Sequence, residues 1–153
     1  KYPTTDILIA TFLKENKPKQ QPHAKKKRRQ DWNWFISCVC LGPIAIDQVD
    51  PQGNFIVIEN AGSSGKDQEM KGWTLRRKID SKDDIVYKFP DNFVLKSRSR
   101  IRILSRNASR GSSNDRETLV AEGVQTWGTG SNMVTRLLDF NGDEKALFNQ
   151  KFQ

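Results

Sequence analysis

Histidine, cysteine and carboxylate side chains carry most acid–base, nucleophilic and metal chemistry, and in this chain they are few and poorly spaced for it. His23 is the single histidine and lies in a Lys-, Gln- and Pro-rich stretch. Neither a Ser-His-Asp nor a Cys-His relay can therefore be built on a folded body downstream of it. Cys38 and Cys40 stand one residue apart, so a bridge between them would close a badly strained ring, and no further Cys or His completes a closed zinc site. Asp139-Phe-Asn-Gly-Asp-Glu144 opens like a calcium loop, but Glu144 stands where that loop needs glycine and Gln150 where it needs a bidentate glutamate. It reads as a hairpin turn around Asn141-Gly142. Gly62-Ser-Ser-Gly65 and Gly128-Thr-Gly130 lack the lysine and the following helix of a phosphate-binding loop. Asn107-Ala-Ser109 matches a glycosylation acceptor without a secretory context. The expectation is a non-enzymatic protein with no cofactor, no metal and no small-molecule substrate.

Cations are the remaining chemistry. Lys25, Lys26, Lys27, Arg28 and Arg29 form an unbroken run, which either keeps a linker soluble or serves as a nuclear-import or nucleic-acid patch. Arg98, Arg100 and Arg102 alternate with Ser99, Ile101 and Ile103, placing three guanidinium groups on one face of a strand, with Arg106, Arg110 and Arg116 beyond. That stripe could hold anions such as phosphates, or it could be a solvated sheet face partly neutralised by Asp115 and Glu117.

The elements that must position these residues are strands. Trp73, Leu75 and Ile79 fall on one side of a period-two pattern, with Thr74, Arg76 and Lys78 on the other, and Ile85, Tyr87 and Phe89 repeat it after the polar break Asp80 to Asp84. This is a β-hairpin buried on one face, with Trp73, Leu75, Tyr87, Phe89 and Trp127 as structural core. Further strands are expected at Ile44 to Val49, Phe55 to Glu59, Phe93 to Leu95, Arg100 to Leu104 and Leu119 to Trp127. Met133 to Phe140 and Glu144 to Phe148 should form the last hairpin. The reading is all-β: a two-sheet sandwich of about nine strands over residues 42–153, preceded by a basic, mostly disordered N-terminal arm over 1–41.

Charge supports that division, since residues 1–41 hold nine Lys/Arg against three acids while 42–153 hold seventeen against fifteen. Within the arm, Trp32 to Leu41 is strongly apolar and could be an extra strand, a partner-binding segment or an aggregation hazard. No apolar run reaches membrane-spanning length, so no membrane span is expected. Sparse cysteine suggests an intracellular protein, and a first residue other than Met suggests part of a longer chain.

Laid out in order, the segment Gly42 to Phe152 resembles the lamin-tail domain, the immunoglobulin-like module at the C-terminal end of lamins and of invertebrate cytoplasmic intermediate-filament proteins. The residues that carry the likeness are Gly42-Pro-Ile-Ala-Ile-Asp-Gln-Val-Asp50, Gly53-Asn-Phe-Ile-Val-Ile-Glu-Asn60, Gly72-Trp-Thr-Leu-Arg-Arg77, Tyr87-Lys-Phe-Pro90, Thr126-Trp-Gly128 and Asn141-Gly-Asp-Glu144. Leu75 to Asp80 and Ile85 to Pro90 look more like nematode-type cytoplasmic filament tails, whereas the run Lys25 to Arg29 resembles the import signal that lamins carry before the module. Two features depart from the pattern: Trp32 to Leu41 has no counterpart, and Leu104-Ser105 stands where members often have Trp. The resemblance implies a structural tail domain whose partners are other intermediate-filament chains and filament-associated proteins, in the cytoplasmic cytoskeleton. The alternative is a nuclear lamina tail binding chromatin or DNA through its basic residues. A coiled-coil rod would then lie upstream of Lys1.

Overall fold

The computed structural model describes residues 12–15, 34–62, 65–109 and 117–152. Among them the chain forms twelve strands and no helix. In chain order they are β1 (Phe12–Glu15), β2 (Trp34–Cys40), β3 (Ile44–Val49), β4 (Phe55–Asn60), β5 (Gln68–Glu69), β6 (Thr74–Ile79), β7 (Ile85–Lys88), β8 (Val94–Leu95), β9 (Arg100–Ser105), β10 (Thr118–Ala121), β11 (Asn132–Leu138) and β12 (Glu144–Phe152). Beyond the nine anticipated, β1, β2 and the two-residue β5 are additional.

Two sheets face each other as an immunoglobulin-like sandwich. One is antiparallel with order β1-β2-β12-β11-β6-β7, the other has order β10-β9-β4-β3, and β5 pairs with β8 as a small ribbon. In the second sheet β10 runs parallel to β9, a pairing that no hairpin can make and that needs a crossover connection. The anticipated hairpin is present, with Leu75 opposite Tyr87 and Arg77 opposite Ile85. Asn141-Gly142 lies within the five-residue connection Asp139 to Asp143 that turns β11 into β12, longer than a two-residue Asn-Gly turn, with Gly142 at φ 85° and its N–H bonded to the Asp139 carbonyl.

Alternation along the strands decides what is buried. Ile56, Ile58, Leu75, Ile103, Leu137 and Trp127 are fully enclosed between the sheets, and Trp73 and Phe148 border them. Burying a Leu, Ile or Phe side chain in such a place stabilises the fold by roughly 1.5–3 kcal/mol. Gly53, at φ 81°, lets two turns meet, since a Cβ there would lie 2.6 Å from the Gly128 backbone nitrogen. Only glycine fits that approach.

The structure departs from expectation in three places. Of the three roles open to Trp32 to Leu41, Trp34–Cys40 takes that of a strand: it pairs with β12 from Ala146 opposite Cys40 to Phe152 opposite Trp34, and Ile36, Cys38 and Cys40 pack against the core. The strand expected over Leu119 to Trp127 stops at Ala121. Val124 donates its backbone N–H back to Ala121, and the chain then runs beside Arg106 and Asn107, whose N–H groups bond to Val124 and Gln125. Arg98 lies in the turn before β9, at φ 59°, with its N–H bonded to the Asn60 carbonyl, so the strand itself carries Arg100 and Arg102. Tight reversal at Ser97-Arg98 breaks the alternation that sequence periodicity extrapolates through it.

Candidate functional site

One polar network of the described residues is internal. If Trp73, Leu75 and Ile79 face the core, position 77 on the same strand must face it too, and Arg77 is completely buried. Its Nε donates to the Trp127 carbonyl at 2.6 Å and its Nη2 to the Gly128 carbonyl at 3.2 Å. Nη1 donates to Thr135 Oγ1 at 2.9 Å and, more weakly, to Gln150 Oε1 at 3.5 Å, while Met133 Sδ lies 3.0 Å from Nη2. Gln150 Nε2 in turn donates to the Val49 carbonyl at 3.2 Å, carrying the network into the second sheet. All these acceptors are neutral. Burial therefore lowers the Arg77 pKa to about 10, opposed in part by the negative charge of Asp50. The group binds the turn at residues 127–128 to β6, β11 and β12, a structural task. Strict parity would have exposed it in the sequence, where the strong preference of arginine for water argued the other way.

The aromatic side chains expected in the core lie there together. Trp127 Nε1 donates to the Ile103 carbonyl at 3.1 Å, and Tyr87 meets Trp127 and Phe89 edge-on, at centroid distances of 6.2 and 5.2 Å. Trp73, Leu75 and Phe89 are buried and Tyr87 half-buried. Desolvation pushes the Tyr87 phenol up to about 12. Raising an acid's pKa means that the folded state holds its proton longer, so the neutral phenol's contribution to stability is whole below pH 10 and is lost as pH rises through 12. Alkaline titration followed by phenolate absorbance should show one of the chain's two tyrosines ionising near pH 12 in the folded protein and both near pH 10 in denaturant. Tyr87→Phe should remove the late step.

On the outer face of the four-stranded sheet, Arg100 and Arg102 help to wall a shallow concavity of about 210 Å³ with Gln48, Val57, Glu117 and Thr118. Arg100 lies 3.8 Å from Asp47 and 3.9 Å from Glu59, and the Arg102 guanidinium sits 5.0 Å above the Phe55 ring. The neutralising acids are thus Asp47 and Glu59 across the strands. Asp115 and the residues Arg110 and Arg116 lie outside the described residues, as do Lys25, Lys26, Lys27, Arg28, Arg29 and His23. With carboxylates this near, the concavity is a mixed-charge surface.

Among the described residues no three His, Cys, Asp or Glu side chains are placed to hold a metal ion. Asp139 Oδ1 accepts the backbone N–H groups of Asn141 and Asp143, each at 2.9 Å, and is spent on shaping its hairpin. No helix among the described residues is long and apolar enough to cross a membrane.

Against known proteins, the family described as Lamin Tail Domain matches residues 41–151. Over 110 residues, 72% of this chain, the sequence is 42% identical to intermediate filament protein B of Ascaris suum and 39% identical to intermediate filament protein ifb-1 of Caenorhabditis elegans. It is 35% identical to lamin-B3 of Xenopus laevis over 135 residues, 88% of the chain. The matched part spans 18% of each nematode protein and 23% of the frog lamin.

Proposed function

This chain belongs to the lamin tail domain family of intermediate-filament proteins, and from that premise we propose that it acts as the tail of a filament protein, mediating lateral association and partner docking. The family is structural and non-enzymatic. What carries the reading is the coincidence of the family match with the sandwich: residues 41–151 take in every strand from β3 to β11 and all but the last residue of β12. A two-sheet body with polar outer faces suits display on a filament, where it can meet neighbours without unfolding.

The folded unit is proposed to begin at β2, ahead of the change in composition at residue 42. Residues 34–153 should unfold cooperatively, and shortening to 42–153 should lower stability by about 2 kcal/mol through loss of the half-buried Ile36, Cys38 and Cys40. Equal denaturation midpoints for the two fragments would return the boundary to residue 42.

Cytoplasmic filaments are the proposed location, supported by the nematode relatives. A second reading, a nuclear lamina tail that contacts chromatin or DNA through Lys25 to Arg29, is favoured by the reach of the lamin-B3 match. A 135-residue stretch of this chain necessarily includes residues 25–29. The test is the distribution of the full-length protein in cells, with and without glutamine at those five positions. Cytoplasmic filaments unaffected by the change are the expected result. Nuclear-rim signal that disperses on replacement would establish the lamin reading in its place.

A further inference from the structure

The two outer faces of the sandwich are not equivalent. On the four-stranded sheet, Arg100 and Arg102 are balanced by Asp47, Glu59 and Glu117. The six-stranded sheet points Arg76, Lys78, Lys88, Arg136 and Lys151 outward, and Glu144 lies on the same face, 3.4 Å from Arg136. Arg76, Lys88 and Lys151 make no ion pair among the described residues. Moreover Arg76 stands directly opposite Arg136 in the β6–β11 ladder. Like charges at paired positions repel, so this arrangement works against stability in the isolated domain.

Aliphatic side chains run between the cations. Leu147 is paired with Val39 on one side and Arg136 on the other, Val134 lies opposite Lys78, and Val86 opposite Arg76. Val86 is 46% exposed. A polyanion such as DNA has no use for these aliphatic groups, and an extended strand would add at a sheet edge instead of across five strands. A helix is about 10 Å wide, so it lies over two strands at once, and an apolar stripe flanked by carboxylates complements both components of this surface.

We infer that the outer face of the six-stranded sheet, centred on Arg76, Lys78, Arg136 and Leu147, is the docking surface for an acidic amphipathic helix of a partner protein. This rests on the tail-domain reading and specifies the chemistry of its partner. Association is steered by charge and therefore weakens with salt, while the aliphatic rows set the orientation of the helix.

The experiment uses the whole chain and four probes: a synthetic glutamate-rich peptide with leucines at helical spacing, its scrambled isomer, a DNA duplex and phosphatidylserine vesicles. Saturable binding of the helical peptide is expected, at least about tenfold tighter than the scrambled isomer. The exposed double variant Arg76→Glu/Lys78→Glu should weaken it at least about tenfold, and Lys66→Glu, in a distant loop, should leave it unchanged. Circular dichroism melting checks that the variants remain folded. Equal binding of the scrambled peptide, preference for DNA or vesicles, indifference to the double variant, or absence of binding would each overturn the inference. Failure of the full-length protein to join filaments would instead overturn the tail reading, and leaves the peptide result standing by itself.

Discussion

Arg77→Ala is expected to destabilise the protein by about 3–5 kcal/mol, because it opens a cavity and leaves several buried neutral acceptors without their donor. Five groups lose a donor: the carbonyls of Trp127 and Gly128, the Thr135 hydroxyl, the weakly accepting Met133 sulfur and, at longer range, the Gln150 amide oxygen. An orphaned buried acceptor costs about 1–3 kcal/mol. Against that stands relief of the desolvation that already lowers the Arg77 pKa to about 10. The opposing terms make the isosteric change informative. Arg77→Met keeps much of the volume and removes the charge, and should still cost about 2 kcal/mol because the acceptors remain unpaired. Denaturant unfolding decides it: a methionine variant as stable as the parent would show the guanidinium to be a net burden on the fold. The lowered pKa adds a pH dependence. From about pH 10 upward the folded state binds fewer protons at this group than the unfolded state, so Arg77's unfavourable contribution fades as pH rises from there towards the ordinary guanidinium value.

Trp127→Ala should be the most damaging single substitution, lowering stability by about 4–5 kcal/mol. The ring is wholly buried, stacks edge-on against Tyr87 and donates to the Ile103 carbonyl. Its backbone is also engaged, the N–H with Gly53 and the carbonyl with Arg77. Truncation leaves a cavity where the two sheets meet and takes the indole donor away from the Ile103 carbonyl on β9. Trp127→Phe should recover roughly half of the loss, since it refills most of the cavity without restoring the indole N–H. A loss below about 1 kcal/mol for alanine would mean that the ring does not hold the sheets together. Because Arg77 holds the backbone carbonyl of residue 127, loss of the Trp127 ring loosens the segment that the guanidinium binds, and the two changes should be less than additive in a double-mutant cycle.

Much of the architecture was legible from local pattern. The hairpin of β6 and β7, the Asn141-Gly142 turn and the inward set Trp73, Leu75 and Phe89 follow from period-two alternation and turn chemistry, which act over a few residues. Trp34–Cys40 was ambiguous because a continuous apolar run has no period to read, and its assignment depends on a free edge at β12 more than one hundred residues further on. Arg98 was misplaced because alternation holds within a strand and ends at a turn whose geometry is set by the distant Asn60 carbonyl.

By itself the chain's text determined that no catalytic relay can be assembled, that strands dominate, and which side chains each strand turns to the same side. Tertiary structure alone decided that Arg77 would find neutral acceptors on segments 50 and more residues away. It also decided that Arg100 would be matched by Asp47 and Glu59, and that Arg76 and Arg136 would share an unbalanced face. The reason is physical: alternation is a property of one strand's backbone, whereas the charge and hydrogen-bond partners of a side chain depend on strand order and register, which only the assembled sheets establish.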